Sequence, residues 1–425
     1  MSYNLAWMAI SFHRRLVFAA VVLSAVLVPR ATGLAQRLAP PAGDAAIRPF
    51  KINVPDSVLA DLKQRLARAR FPGEIPGSNW DYGTNLAYLK ELVAYWRDRY
   101  DWRAAERRLN QFDQFTTTID GLEVHFIHQR SKNPNALPLA ITHGWPGSIV
   151  EFTKVIGPLT DPAAHGGNPA DSFHVVAMSL PGFAFSGKPS ERGYGPERAA
   201  GILAKLMARL GYTRYGVQGG DWGASVSRFA ALNDSSHVIG AHLNFCLGGP
   251  LPGVVDPAAG VSALELERMR TRQTFFDTER GYFLEQSTKP QTVGYALDDS
   301  PVGLAAWIVE KFRSWCDCDG EIEKKFSKDD LLTNIMLYWV TQSGASSARI
   351  YYENQRAGGG PPRRVEVPTA CAVFPKEINI PPRKWVEAQN NVTRWTEMPR
   401  GGHFAALEQP DLLVDDIRAF FRPLR

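Results

Sequence analysis

Apolar residues recur along the chain in two rhythms. Val58, Leu59, Leu62 and Leu66 follow one another at helical steps behind Pro55-Asp56, so an amphipathic helix with a proline–acid start is expected there. After a Pro/Gly-rich break over Phe71–Ser78, a second helical stretch is expected from Leu86 to about Asn110. These helices form an arm with no evident core of its own, which must pack on the segments C-terminal to it. From Phe115 the rhythm changes. Phe115–Ile119 and Leu122–His128 flank Asp120-Gly121 and read as a β-hairpin. Continuous apolar runs then recur at Leu137–Thr142, His174–Ser179, Tyr215–Gln218, His237–Phe245 and Val365–Val373. Each has the length of a strand buried on both faces. Helical patterns such as Pro196–Leu210 and Ala224–Leu232 separate most of them, and this alternation predicts a mostly parallel sheet of the α/β class. Between Leu247 and about Arg356 the strand signal gives way to helical segments, among them Ala263–Thr278, Val302–Phe312 and Leu331–Thr341. An all-helical insertion in an α/β sheet has the shape of a lid. The expected divisions are a targeting segment over 1–35, a linker over 36–47, the arm over 48–114, a core in two parts (115–246 and 357–425) and the lid over 247–356.

Composition narrows the class without changing this picture. The chain has 425 residues, 44% of them apolar, and a net charge of +5. Residues 1–35 carry Arg14, Arg15 and Arg30 and no acid. Nothing resembles the concentrated basic face of a nucleic-acid binder, so no nucleic-acid partner is expected. Arg14-Arg15, the apolar stretch Leu16–Val28 and the small residues Gly33 and Ala35 stand in the order of a signal peptide, with cleavage after Ala35 and export to the periplasm or medium. An uncleaved N-terminus would instead anchor the protein to a membrane. The four cysteines form no framework for a chain this long, and Cys316 and Cys318 stand too close for an easy bridge, so free, mostly buried thiols are expected. No His-Glu-x-x-His motif is present, and His125 and His128 would face opposite sides of a strand, so neither a metal nor an organic cofactor is expected.

The candidate chemistry lies at strand ends. Tyr215–Gln218 runs into Gly219-Gly220-Asp221-Trp222-Gly223 and then into a helix, matching the strained strand-to-helix elbow that presents a nucleophile. On its own, Asp221 is equally a helix cap. His143-Gly144-Trp145-Pro146-Gly147 comes directly after Leu137–Thr142, where this elbow architecture draws one oxyanion-hole amide; the amides in question are those of Trp145 and Trp222. Glu377 lies just beyond Val365–Val373, and His403 lies on a Gly401-Gly402 loop after the strand-like Thr393–Met398. The chain order is therefore oxyanion loop, nucleophile, acid, base, with each at the C-terminal end of a strand.

Taken together, His143-Gly-Trp-Pro-Gly, Pro181-Gly-Phe-Ala-Phe-Ser186, Gly219-Gly-Asp-Trp-Gly and Gly401-Gly-His-Phe-Ala-Ala-Leu-Glu-Gln-Pro410 resemble the microsomal-type epoxide hydrolases. So do the arm from about Pro49 and the lid stretch containing Gly281-Tyr282 and Ser300-Pro301-Val302-Gly303. The resemblance implies an α/β-hydrolase fold with a helical cap and a wrapping N-terminal arm. It also implies two lid tyrosines as proton donors, Tyr282 and Tyr351, with Tyr352 adjacent as the alternative for the second. An aspartate nucleophile suits that reaction. Attack on an sp³ carbon by serine would leave an ether, whereas a carboxylate leaves an ester that water can cleave. The expected partner is one small hydrophobic epoxide, with a homodimer left open. A haloalkane-type dehalogenase can share Asp-Trp-Gly and the ester, but would need halide-binding N–H donors in place of the tyrosines. The other alternative is a non-catalytic ligand-binding protein on the same fold, against which stands the filling of every catalytic position.

Overall fold

The computed structural model describes residues 45–358 and 363–425. The proposed targeting segment lies outside these residues. A single sheet of nine strands organises the rest: β1 (Arg48–Phe50), β2 (Gln114–Ile119), β3 (Leu122–Gln129), β4 (Leu137–Thr142), β5 (Phe173–Met178), β6 (Tyr215–Gly219), β7 (Val238–Leu243), β8 (Val365–Val373) and β9 (Asn390–Glu397). Their spatial order is β1-β2-β3-β5-β4-β6-β7-β8-β9, antiparallel up to β5 and parallel from β5 onward. β2 and β3 turn at Asp120 (φ 52°) and Gly121 (φ 77°), the left-handed pair a tight hairpin turn requires. From β4 the chain passes to β5 on one side and then to β6 on the other. The crevice beyond the carboxyl ends of β4 and β6 is thus the topological switch point, where open α/β sheets bind ligands.

The arm contains helices Asp56–Ala67, Leu86–Asp98 and Trp102–Leu109. The helical stretch expected from Leu86 to Asn110 is therefore broken. Asp101 accepts the Ala104 amide (3.0 Å) and starts a new helix, which periodicity alone does not reveal. The short strand β1, at the sheet edge, was not expected from the sequence. It pairs with β2, and the arm's helices reach from there to the lid. Tyr95 donates to Asp329 (2.9 Å), Trp96 Nε1 to Met336 Sδ (3.3 Å), Thr84 to the Ala306 carbonyl (2.7 Å) and Arg65 to Asp299 (2.8 and 3.0 Å). Leu62, Leu66, Leu92, Val93 and Trp96 are buried in the same apolar core as the sheet and lid, so the arm's apolar face is covered by both.

The lid consists of helices Ala263–Glu279, Gly281–Thr288, Pro290–Asp299, Pro301–Trp315, Lys328–Val340 and Gly344–Arg356. Pro290–Asp299 and Gly344–Arg356 approach so closely that a Cβ on Gly294 would strike Ala345. This close crossing fixes the position of the helix that carries Tyr351. The cysteines correct the expectation of free thiols. Cys246 pairs with Cys371 and Cys316 with Cys318, at Cα separations of 5.8 and 5.3 Å. Both separations lie within the reach of a disulfide. The first pair becomes visible only when β7 and β8 are placed side by side.

Candidate active site

Asp221 leaves β6 and opens the helix Asp221–Asn233 with φ at 49°, a left-handed conformation that costs a non-glycine residue ~1–3 kcal/mol. The turn closes because its flanks have no side chains. A Cβ on Gly219 would overlap the Gly223 carbonyl, and one on Gly223 would overlap the carbonyl of Thr142. Strand end and helix start therefore touch backbone to backbone, and the carboxyl group is pushed out over the sheet.

The other residues singled out in the sequence gather around it. The Trp145 amide donates to Asp221 Oδ1 (2.9 Å), and a Cβ on Gly144 would collide with the Asp221 carboxyl group. The Trp222 amide belongs to the first turn of the elbow helix, where N–H groups lack intrahelical acceptors. His403 Nε2 stands 3.4 Å from Asp221 Oδ2, and its Nδ1 is 2.6 Å from Glu377 Oε1. The His403 backbone amide donates to the Trp315 carbonyl (3.0 Å), which ties the histidine loop to the lid. Burial alone would lower the His403 pKa. The negative charges of Glu377 and Asp221 outweigh it and raise the imidazole well above its ordinary value.

On the lid side, aromatic rings enclose the carboxyl group. Tyr282 stacks on Trp145 (5.4 Å, 7° between planes), and Tyr351 meets Trp222 edge-on at 4.8 Å and Tyr282 at 5.9 Å. Both tyrosines are buried, and burial together with the nearby Asp221 charge holds both phenols above their ordinary pKa. They therefore carry their protons at neutral pH. Tyr352, the alternative, instead lies under the Arg356 guanidinium (3.5 Å) and outside this ring cluster. A cleft of about 970 Å³ between arm and lid reaches Tyr282 past Trp80, Tyr82 and Trp307.

Other neighbours went unmarked in the sequence. Trp315 places its ring edge-on to His403 at 4.9 Å. Lys311, buried beside Glu310 and Glu279, holds its ammonium 4.8 Å from the Tyr282 ring centre. Glu408 accepts the amides of Asp317 (2.8 Å), Gly402 (3.0 Å) and Phe404 (2.9 Å), which clamps the loop carrying His403. Its place five residues after His403, inside the Gly401–Pro410 motif, was the one available signal. His125 and His128 have separate partners: Ser179 and Gln114 for the first, Tyr212 for the second.

Comparisons with known proteins agree with this geometry. The family described as epoxide hydrolase N terminus matches residues 47–152, and that of the alpha/beta hydrolase fold matches 138–292. A protein of Stigmatella aurantiaca (strain DW4/3-1) is 50% identical over 382 residues, which cover 89% of this chain and 86% of the relative. Epoxide hydrolase 1 of Sus scrofa is 42% identical over 409 residues, covering 89% of each chain. The crystal structure of juvenile hormone epoxide hydrolase from the silkworm Bombyx mori superposes with a TM-score of 0.82 at 32% identity, covering 90% of this chain and 95% of that one. With identity of this extent over both the arm and the hydrolase core, the chain belongs to the microsomal-type epoxide hydrolase family.

Proposed function

We propose that this epoxide hydrolase converts a hydrophobic epoxide to a vicinal diol through a covalent ester on Asp221. The observation that carries the reading is the position of His403, 2.6 Å from Glu377 on one side and 3.4 Å from Asp221 on the other, beneath a buried tyrosine pair. Asp221 attacks an epoxide carbon, and the C–O bond of the ring breaks. The oxygen that leaves takes a proton from Tyr282 or Tyr351, both still protonated at neutral pH. His403, oriented by Glu377, then removes a proton from water as that water attacks the ester carbonyl. The amides of Trp145 and Trp222 receive the oxyanion, each worth about 3 kcal/mol in comparable sites. Collapse of the intermediate releases the diol, whose departing oxygen takes the proton from His403. The proton left on the Asp221 carboxyl group returns to the tyrosinate, so that Asp221, His403 and the tyrosine are all restored. The aromatic enclosure favours apolar substrates.

The test is one turnover in H₂¹⁸O with enzyme in excess. The covalent route puts an unlabelled carboxylate oxygen into the diol and the label into Asp221, whereas label found directly in the diol would sink it. We further infer that the protein is exported after cleavage behind Ala35. The Arg14-Arg15 start supports this, as do cysteines placed to pair, which suits an oxidising compartment. N-terminal sequencing of the protein from its native cells should begin at Gln36, and an intact Met1 would point to anchoring instead. Clearance of diverse apolar epoxides is the role this enclosure suits. Comparable kcat/KM across styrene, terpene, fatty-acid and small aliphatic epoxides is expected, and one steeply preferred substrate would argue for a dedicated role.

A further inference from the structure

Glu151 is an acid that the proposed reaction has not yet used. It lies in the 3₁₀ turn Ile149–Lys154, directly after the loop His143–Gly147. Its side chain folds back onto that loop, where a Cβ on Gly147 would overlap Glu151 Oε1. Three residues earlier on the same loop, a Cβ on Gly144 would overlap the Asp221 carboxyl group. One glycine-bearing loop therefore carries two carboxyl groups side by side, one the candidate nucleophile and the other without an assignment.

The surroundings of Glu151 show what state it occupies. The nearest base in sequence, Lys154, pairs with Asp330 (3.3 Å), and no salt bridge reaches Glu151 among the described residues. Glu151 as a whole is half-buried, and desolvation of its carboxyl group pushes the pKa up to about 8. Asp221 and Glu377 add to the rise, while His403 and the Gly144 amide oppose it. A carboxylate here would set a third negative charge beside Asp221 and Glu377, so the group is a neutral acid at neutral pH. Tyr338, the other phenol near Glu151, is already committed as donor to the Gly147 carbonyl (2.6 Å). A half-buried carboxylic acid with no side-chain partner is satisfied by water. The base His403 also needs a water, next to the carbonyl carbon of Asp221, and both His403 and Asp221 lie near enough for their charges to act on the Glu151 carboxyl group.

We propose that Glu151 is a further catalytic residue, which holds the hydrolytic water through its carboxyl group while His403 Nε2 takes the proton. The proposal rests on the Asp221 ester. As the water oxygen bonds to the ester carbon of Asp221, one of its protons passes to His403, and the carbonyl electron pair moves onto the oxygen facing the Trp145 amide. Collapse breaks the bond to the product oxygen, which takes the proton back from His403. Glu151 keeps its own proton throughout and fixes only where the water stands.

Single-turnover rapid quench with styrene oxide separates the two steps, ester formation being read by mass and ester loss by diol release. E151L should form the ester at the wild-type rate and hydrolyse it about 10²-fold more slowly, the usual cost of misplacing a reactant. E151Q, which stays neutral and can still bond water, should hydrolyse it within about fivefold of wild type. Should E151L not fold, E151A carries the same expectation. Ester loss at the wild-type rate in the apolar variant overturns the proposal while leaving the Asp221 ester intact. Equal slowing of both steps overturns it too, by making Glu151 a support of the loop alone. E151Q as slow as E151L overturns the neutral-acid form of the idea. No ester in wild type overturns the Asp221 reading and this one with it.

Discussion

Two buried histidine–carboxylate pairs lie within this sheet and its flanks, and they are built to opposite ends. On the face of the sheet covered by the C-terminal helix, His242 on β7 bonds Asp416 (3.0 Å), which also accepts from Arg394 Nε (2.8 Å) and Thr396 (2.8 Å). The arginine's positive charge and the surplus of donors leave Asp416 fully satisfied. Burial alone would raise its pKa, but the bonds from His242, Arg394 and Thr396 hold it well below the carboxylate range. At the strand tips, His403 faces both Glu377 and Asp221. No arginine forms a salt bridge with the group among the described residues, although the charge of Arg272 acts on Glu377 from farther away, and Glu377 Oε2 has no partner among those residues. In the first pair the carboxylate is saturated, His242 Nδ1 alone lacking a partner among the described residues, and the pair holds β7, β9 and the C-terminal helix together. The second has a surplus of acceptors and negative charge, and so retains capacity for a proton and for a reacting partner. Burial of a His–acid pair is thus no mark of catalysis. What separates the two is whether the surrounding donors have already been used.

Removing the open pair should be severe for turnover and mild for folding. Asp221→Ala should cut diol formation by about 10⁴-fold or more, with an unchanged circular dichroism spectrum. A folded variant retaining a tenth of wild-type turnover would contradict the nucleophile assignment. His403→Gln should lose roughly 10²–10⁴-fold while accumulating protein heavier by one epoxide, which intact-mass spectrometry would detect. For the saturated pair the pattern should reverse. Asp416→Ala leaves the buried His242 and the half-buried Arg394 without their acid, a loss of ~3 kcal/mol, seen as a large fall in Tm. The kcat of whatever remains folded should match wild type, and a selective fall in kcat would join the two pairs functionally. Tyr351→Phe should slow ester formation by roughly tenfold, because Tyr282 remains as a donor, and leave ester hydrolysis alone.

The smallest effect concerns pH. Because the folded pKa of Asp416 is depressed, its contribution to stability is complete above the unfolded value of about 4 and drains away as pH falls below it. Acid unfolding monitored between pH 5 and 2 should therefore be less steep in Asp416→Asn than in wild type. Equal steepness would remove Asp416 from the account.

Local chemistry made part of this legible in advance. The glycines around Asp221, the Gly-Trp-Pro-Gly loop and the Gly-Gly-His turn sit at strand ends that the apolar runs already marked, so chain order alone brings four site residues near one another. The structure adds how they are oriented, and it separates Tyr351 from Tyr352 by the face of a helix. Other features depended on contacts distant in sequence. Cys246 meets Cys371 only through the β7–β8 pairing, and Trp315 reaches His403 from the end of a lid helix. Glu151 looks like any surface acid until Gly147 is seen to make room for it. The break at Arg99–Asp101 hides inside a continuous helical pattern because its cause is a single capping side chain.

The arm has a consequence for traffic through the site. One end is hydrogen-bonded into the sheet edge through β1, and its helices grip the lid at Asp299, Ala306, Asp329 and Met336. It works as a strap buckled at both ends, and a swing of the lid away from the sheet would have to break several of these fastenings at once. The cleft beside Tyr282 offers molecules an approach that needs no such swing, with the strap forming one of its walls. The arm thereby shapes an entrance as well as holding the lid. A bulky molecule using that approach would pass Trp80 and Tyr82 before it met Tyr282.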